Sequence, residues 1–216
     1  MKIQFDGKQA YQQEAVAAFT DLFEGQPLNQ GDYSITINAV NESAQNNLSL
    51  FAVELGAIGN NIALHQDTIY QNLVAIQEKN NLELIEREEF DKNGLNFSVE
   101  METGTGKTYV YLRTIFALSQ KYGFKKFIIV VPSVAIREGT LKNLQITADH
   151  FKDIYNNIEF EHFVYNGQKP HRLRHFANSN KLQIMVINID AFNKDANKFN
   201  QESELLSGNS PKDFVQ

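Results

Sequence analysis

Cysteine is absent from the 216 residues. That excludes disulfides, thiolate chemistry and a cysteine-based zinc site. Long apolar runs are missing as well. No segment approaches the roughly 18 consecutive apolar residues of a membrane-spanning helix. The amino terminus, MKIQFDGKQAYQQEA, lacks the apolar stretch of a secretory signal. The cytoplasm is therefore the expected location. A chain-wide basic field is also missing, because the formal charge is -6. Any contact with nucleic acid has to come from a local patch or from a basic partner domain. What is present is a length ample for a real core, as one large domain or one domain with an N-terminal elaboration.

The first half of the chain reads as mixed. Tyr11, Ala15, Phe19, Leu22 and Phe23 recur at helical spacing. DYSITINAV, residues 32–40, alternates like a strand, and HQDTIYQNLVAIQEKNN reads as a second helix. LELIEREEFDKNG is charged and ambiguous, its acidic run a solvated face. From Asn96 onward, strands and helices alternate. NFSVEM, KFIIVVP, IEFEHFVYN and KLQIMVINI read as strands, with helices between them. The helix after KFIIVVP is expected to break near Gly139. Four strands joined by crossovers imply a mainly parallel sheet covered on both faces.

At the first of these strand-to-helix junctions stands METGTGKTYVYL. Gly104, Thr105, Gly106, Lys107 and Thr108 match the end of the P-loop pattern G-x-x-x-x-G-K-[ST], with Thr103 preceding them. Each residue type has a physical reason. Backbone N–H groups must approach phosphate oxygens closely, and side chains would block that approach, hence glycine. The helix that follows adds its positive end. The Lys107 ammonium reaches the β- and γ-phosphates, and the Thr108 hydroxyl is placed to ligate the Mg²⁺ that bridges them. The match has one departure: Met101 occupies the position of the pattern's first glycine. The expected cofactors are ATP and Mg²⁺.

METGTGKTYVYLRT and FKKFIIVVPSVAIREG, together with YQQEAV near the amino terminus and VINIDAFNKDANKFNQ later, resemble the N-terminal part of the restriction (Res) subunit of type III restriction-modification enzymes. Those are helicase-like ATPases of superfamily 2. The resemblance implies a RecA-like P-loop three-layer α/β/α sandwich with a mainly parallel sheet, occupying residues 96–216. Residues 1–95 would form an N-terminal helical and strand elaboration carrying an adenine-reading helix. By position, Gln12 falls where the family reads adenine, a task suited to a carboxamide with both donor and acceptor. Ser133 and Arg137 fall where the family contacts a DNA-strand phosphate, though Arg137 suits a structural salt bridge equally well. Asn188, opening the turn to Phe192, falls at another strand-tracking loop. KPHRLRHF, residues 169–176, is the basic concentration of the chain. It reads either as a solvated helix face, the plainer interpretation, or as a segment following phosphates.

Hydrolysis needs a further acidic strand end of the Asp-Glu type. The in-chain candidate, LQIMVINID, ends in Asp190, but Ala191 follows where the family has Glu, and the resemblance places this strand before the acidic motif. No residue is assigned as catalytic. The resemblance further implies a second motor domain, a nuclease, DNA as substrate and a modification methyltransferase subunit as partner, all in an intact protein of which this chain is expected to be an N-terminal piece. Two other interpretations stand beside it: a module that binds nucleotide or phosphate without turnover, and a superfamily 2 DNA helicase with no nuclease.

Overall fold

Four consecutive residues, Ile184, Met185, Val186 and Ile187, are between 0 and 1% exposed. An apolar run buried on both faces is what a central parallel strand requires. In the computed structural model, which describes residues 5–28, 59–169, 171–192, 199–201 and 210–212, these residues lie in β3 (Leu182–Asn188). β1 (Lys126–Val131) and β2 (Phe160–Val164) flank it in the order β1-β3-β2, and both pair with it in parallel. The register aligns Ile128 with Met185 and Phe163 with Met185.

Helices among the described residues include α1 (Ala10–Thr20), α2 (Gln66–Lys79), α3 (Arg87–Asn93), α4 (Lys107–Tyr122), α5 (Val134–Ile154) and α6 (His171–Asn178). Short 3-10 turns span Asp21–Phe23 and Ile189–Ala191. The described residues fall into two compact units. One holds residues 5–28, 62–122 and 143–157. The other holds the sheet, with residues 59–61, 123–142 and those from 158 onward.

In the first unit the organising element is α4. Leu112 and Phe116 are fully buried, and the Phe116 ring packs on Phe151 with centroids 4.8 Å apart. Tyr109 packs on the same ring at 5.3 Å. Arg113 is buried too, donating from Nε to the Tyr155 hydroxyl (3.1 Å) and from a terminal nitrogen to the Gly7 carbonyl (2.8 Å). Tyr122 donates its hydroxyl to the Thr20 carbonyl at 3.0 Å, fixing the far end of the helix to α1. Asn72 of α2 donates to the carbonyls of Leu22 and Glu24, both at 3.0 Å. A helix clamped along its length presents its first turn in one place, and the turn Thr103–Gly106 leads directly into it.

In the sheet unit, Phe163, Leu173, Phe176 and Met185 form a core that ties α6 to β2 and β3. The segment KPHRLRHF thus supplies core as well as charge, because Leu173 and Phe176 face inward.

Three expectations need correction or qualification. Residues 96–101 are not a strand: they join no β-ladder among the described residues, and Val99 is 44% exposed. Apolar alternation makes a segment able to be a strand, but the ladder needs a neighbour. The sheet accordingly has three described strands. α5 runs unbroken through Gly139, whose cost of roughly 1 kcal/mol is small against a 21-residue helix. The alternating segment 32–40 lies outside the described residues.

Candidate nucleotide-phosphate site

The residues from Thr103 to Gly106 form a turn ahead of α4, with φ of +86° at Gly104 and +89° at Gly106. Both values lie in the left-handed region that side chains disfavour. Gly104 faces open space, whereas a Cβ on Gly106 would sit 2.7 Å from Gln12 Nε2. The two glycines therefore serve different ends: one leaves the approach clear, and the other makes room for a neighbour. The turn is held by Thr105, whose hydroxyl donates to the Glu102 carbonyl at 2.7 Å. Helical bonding starts immediately, with Val110 N–H donating to Gly106 O at 3.0 Å. The amides before it have no partner within the helix, as at any helix start.

Lys107 donates its ammonium to the Met101 carbonyl. Met101 is the residue that departs from the P-loop pattern. The acceptor there is backbone, which any residue supplies, so this contact is indifferent to the missing glycine.

Gln12 reaches the same turn from α1. It is 7% exposed, and its Nε2 donates to the Thr105 carbonyl at 3.0 Å, with the Tyr11 hydroxyl 3.4 Å away. The structure thus unites Gln12 with Gly104, Thr105, Gly106 and Lys107 across 93 residues of chain. Thr108, half-buried, stands in the first turn of α4.

A protein-family model for the type III restriction enzyme Res subunit matches residues 8–212. The chain belongs to that family. It is 35% identical over 144 residues to the Res subunit of the type III enzyme EcoPI of Escherichia phage P1, covering 59% of this chain and 15% of that protein. It is 32% identical over 174 residues to the EcoP15I Res subunit of Escherichia coli, covering 72% and 18%. With the StyLTI Res subunit of Salmonella typhimurium the figures are 36% over 141 residues, 56% and 14%. The chain spans less than a fifth of the length of these curated relatives. The parallel α/β architecture is that expected of a RecA-like Res domain.

The remaining candidates of this Res-family chain lie in the sheet unit. Ser133 caps α5, its hydroxyl oxygen accepting from the Ile136 N–H at 3.3 Å. Arg137 does make a salt bridge, to the neighbouring exposed Glu138 at 2.8 Å. It also lines a cavity that it shares with Lys169 and Arg172. Asn188 ends β3, and its Oδ1 is buried without a hydrogen-bond partner among the described residues. Asp190 is exposed on the 3-10 turn that follows.

His171 and His175, four apart on α6, do not form a metal pair: His175 Nε2 meets Glu161 Oε2 at 2.6 Å. No group of three metal-binding side chains occurs among the described residues. Lys169, Arg172 and Tyr165 line the same cavity as Arg137. The charges of the first two were visible in the sequence, but their convergence with Arg137 was not.

Proposed function

We propose that the turn from Thr103 to Thr108 binds the terminal phosphates of ATP with Mg²⁺, and that the chain is the ATP-binding part of the motor of a type III restriction endonuclease subunit. In the intact protein that motor would couple ATP hydrolysis to action on DNA, and would work with a modification methyltransferase subunit. The observation that carries this reading is the pair of left-handed glycines leading into the buried helix α4, with Lys107 beside them. The relatives' names as Res subunits of restriction-modification enzymes support the rest.

The residues fit a nucleotide's phosphate tail. Amides at the start of α4 and the helix dipole favour negative charge there. Lys107 exchanges the Met101 carbonyl for a phosphate oxygen, a stronger acceptor. Thr108 offers its hydroxyl to the cation. The bound ATP and Mg²⁺ supply the phosphoryl group and the charge neutralisation for its transfer. Gln12 has a double task. Bidentate pairing with adenine needs one of its N–H groups, and the long contact to Tyr11 is the one to yield, while the bond to Thr105 holds the turn.

The test is a titration of the chain with a fluorescent ATP analogue and Mg²⁺. Lys107→Ala removes a charge-assisted bond of up to about 3 kcal/mol, so affinity falls on the order of a hundredfold. The melting temperature stays the same, because Lys107 is exposed. Unchanged affinity would overturn the nucleotide reading. Steady MgATP turnover by this chain alone would show that an acidic residue within it completes the site.

A further inference from the structure

Gln12 stands in the first turn of α1, where a helix frays most easily. Gln9 ahead of that turn makes no side-chain cap, and no acidic residue supports the first turn. Yet Gln12 is buried, and its Nε2 bonds the Thr105 carbonyl. The start of α1 does not by itself hold it there.

The anchor lies in the residues just before α1. Phe5 stacks on the Tyr109 ring, with centroids 5.9 Å apart and planes 12° from parallel, and meets His150 at 5.3 Å. Tyr109 and His150 share a hydrogen bond of 2.7 Å between the hydroxyl and Nε2. Gly7 lets the backbone approach α5 closely: a Cβ there would stand 3.1 Å from Ile154 Cδ1. The Gly7 carbonyl accepts two bonds, from Gln13 Nε2 at 3.0 Å and from Arg113 at 2.8 Å. The first ties this short strap to α1, and the second ties it to α4.

Arg113 is a costly residue for that task. It is 9% exposed, and among the described residues it pairs with no carboxylate. Its partners are the Gly7 carbonyl, the Tyr155 hydroxyl and the Tyr109 ring, 6.0 Å away. A buried guanidinium without a counter-charge is unfavourable, and an apolar side chain of similar volume would fill the space without that penalty. What the planar fork adds is a simultaneous grip on Tyr155, at the end of α5, and on the Gly7 backbone. Arg113 stands two turns beyond Gly106, about 10 Å along α4. The stretch Gly7–Gln12 is therefore pinned at both ends, at Arg113 within α4 and at Thr105 just ahead of it. With the first pin lost, the second hangs on a fraying helix end.

We propose that Arg113 is a positioning residue for base recognition. It acts through the Gly7 carbonyl and the start of α1 to keep the Gln12 carboxamide beside the phosphate turn, within reach of an edge that offers both a donor and an acceptor, as adenine does. The inference rests on the reading of the turn as an ATP site with Gln12 at the base.

Titrations of the 216-residue chain with Mg²⁺ and ATP, GTP or tripolyphosphate test it. Arg113→Gln is expected to weaken ATP about fivefold, as if the competent arrangement were present about one fifth of the time. Tripolyphosphate should weaken less, so the preference for ATP over both GTP and tripolyphosphate shrinks. Arg113→Lys keeps the charge but reaches only one of the two acceptors, and should fall between. In a Gln12→Ala background, Arg113→Gln should weaken ATP by less than about twofold further, because both changes disable one contact. A merely structural arginine would instead weaken all three ligands alike and add fully to Gln12→Ala. Phe5→Ala loosens the same strap from a half-buried position and leaves the buried cation in place. It should show the same pattern at about two- to threefold, and it is the variant to read if Arg113→Gln does not fold.

An unchanged ATP preference in these variants, or full additivity with Gln12→Ala, would overturn the proposal and leave the ATP reading standing. Equal affinity of the wild-type chain for ATP, GTP and tripolyphosphate, still lost in Lys107→Ala, would remove the base reader and this inference with it, while sparing the phosphate site. ATP binding that ignores Lys107→Ala would overturn the nucleotide reading itself.

Discussion

The turn before α4 and the cavity beside β2 both present positive character to an anion, but they are made by opposite means. At the turn, two left-handed glycines clear the way for backbone amides, and one ammonium stands by. At the cavity, the charge comes from three long side chains, Arg137 on α5 and Lys169 and Arg172 on the basic segment that opens α6. The first arrangement fixes its geometry through the chain itself and has almost no freedom to lose on binding. The second can adapt its reach, and must order flexible side chains to do so. A site of the first kind suits a ligand that is always the same. A site of the second kind suits a polymer whose position shifts.

The largest effect that would sharpen this contrast is Gly106→Ala. The alanine would have to hold a φ of +89° and push its Cβ to within 2.7 Å of Gln12 Nε2. The left-handed backbone alone costs about 1–2 kcal/mol, and moving Gln12 releases its bond to Thr105. Nucleotide affinity is expected to drop on the order of a hundredfold, about 2.8 kcal/mol, with a lowered urea midpoint. Gly139→Ala is the matched control. It lies inside α5 where the new Cβ would meet no atom within 4 Å beyond the helix's own backbone and its chain neighbours, and should gain about 0.5–1 kcal/mol. Equal behaviour of the two variants would mean that the turn has no need of its glycines.

The same contrast explains what the sequence reveals. The turn is legible because its chemistry lies within a few consecutive residues, and β3 because its four core residues are consecutive and apolar. Residues 96–101 carry a strand's pattern without being one, since pairing depends on a neighbour that a local pattern does not contain. The cavity is the least legible feature. KPHRLRHF shows its charge openly, but the fold sends Leu173 and Phe176 inward, His175 to Glu161, and leaves Lys169 and Arg172 facing Arg137. Only the folded chain separates these uses of one basic segment.

Salt offers the next largest effect. If the DNA-strand contact implied by the family resemblance at Arg137 extends to Lys169 and Arg172, three phosphate contacts at a slope near 0.7 each predict that raising salt from 50 to 200 mM weakens strand binding about twentyfold. The proposed nucleotide binding at the turn would rest mainly on amides and should change by less than about threefold over the same range. Paired titrations at both salts check this, and parallel slopes would erase the distinction between the two sites.

A smaller effect tests whether Gln12 acts on the base as well as on the turn. Gln12→Ala removes the bond to Thr105, about 1 kcal/mol or fivefold in affinity. Tripolyphosphate feels only that loss. ATP should lose more, and the preference for ATP over GTP should shrink. If ATP and tripolyphosphate weaken equally, Gln12 works through the turn alone.

The smallest effect concerns a cation that belongs to neither site. Lys126 opens β1, at the amino end of the same sheet whose carboxyl ends face the cavity. It lies 5.5 Å from the centroid of Phe176 and donates to the Ser179 carbonyl. Burial, aided by the neighbouring Lys125 charge and opposed by Glu161, pulls its pKa from 10.5 down to about 8. Folding therefore favours the neutral amine. The stabilisation this brings is absent below about pH 8 and grows as pH rises from there towards 10.5. Lys126→Met should raise stability at pH 7 by about 1 kcal/mol, a figure reduced from the full shift because the side chain keeps partial access to water. It should also abolish the gain that the wild-type chain shows between pH 7 and 9.5 in urea unfolding. Strand binding should not change, because the removed charge is at the wrong end of the sheet. Were Lys126→Met to weaken the strand as much as Lys169→Gln does, the cations of this unit would be acting as a diffuse field and the cavity would lose its claim to be a site.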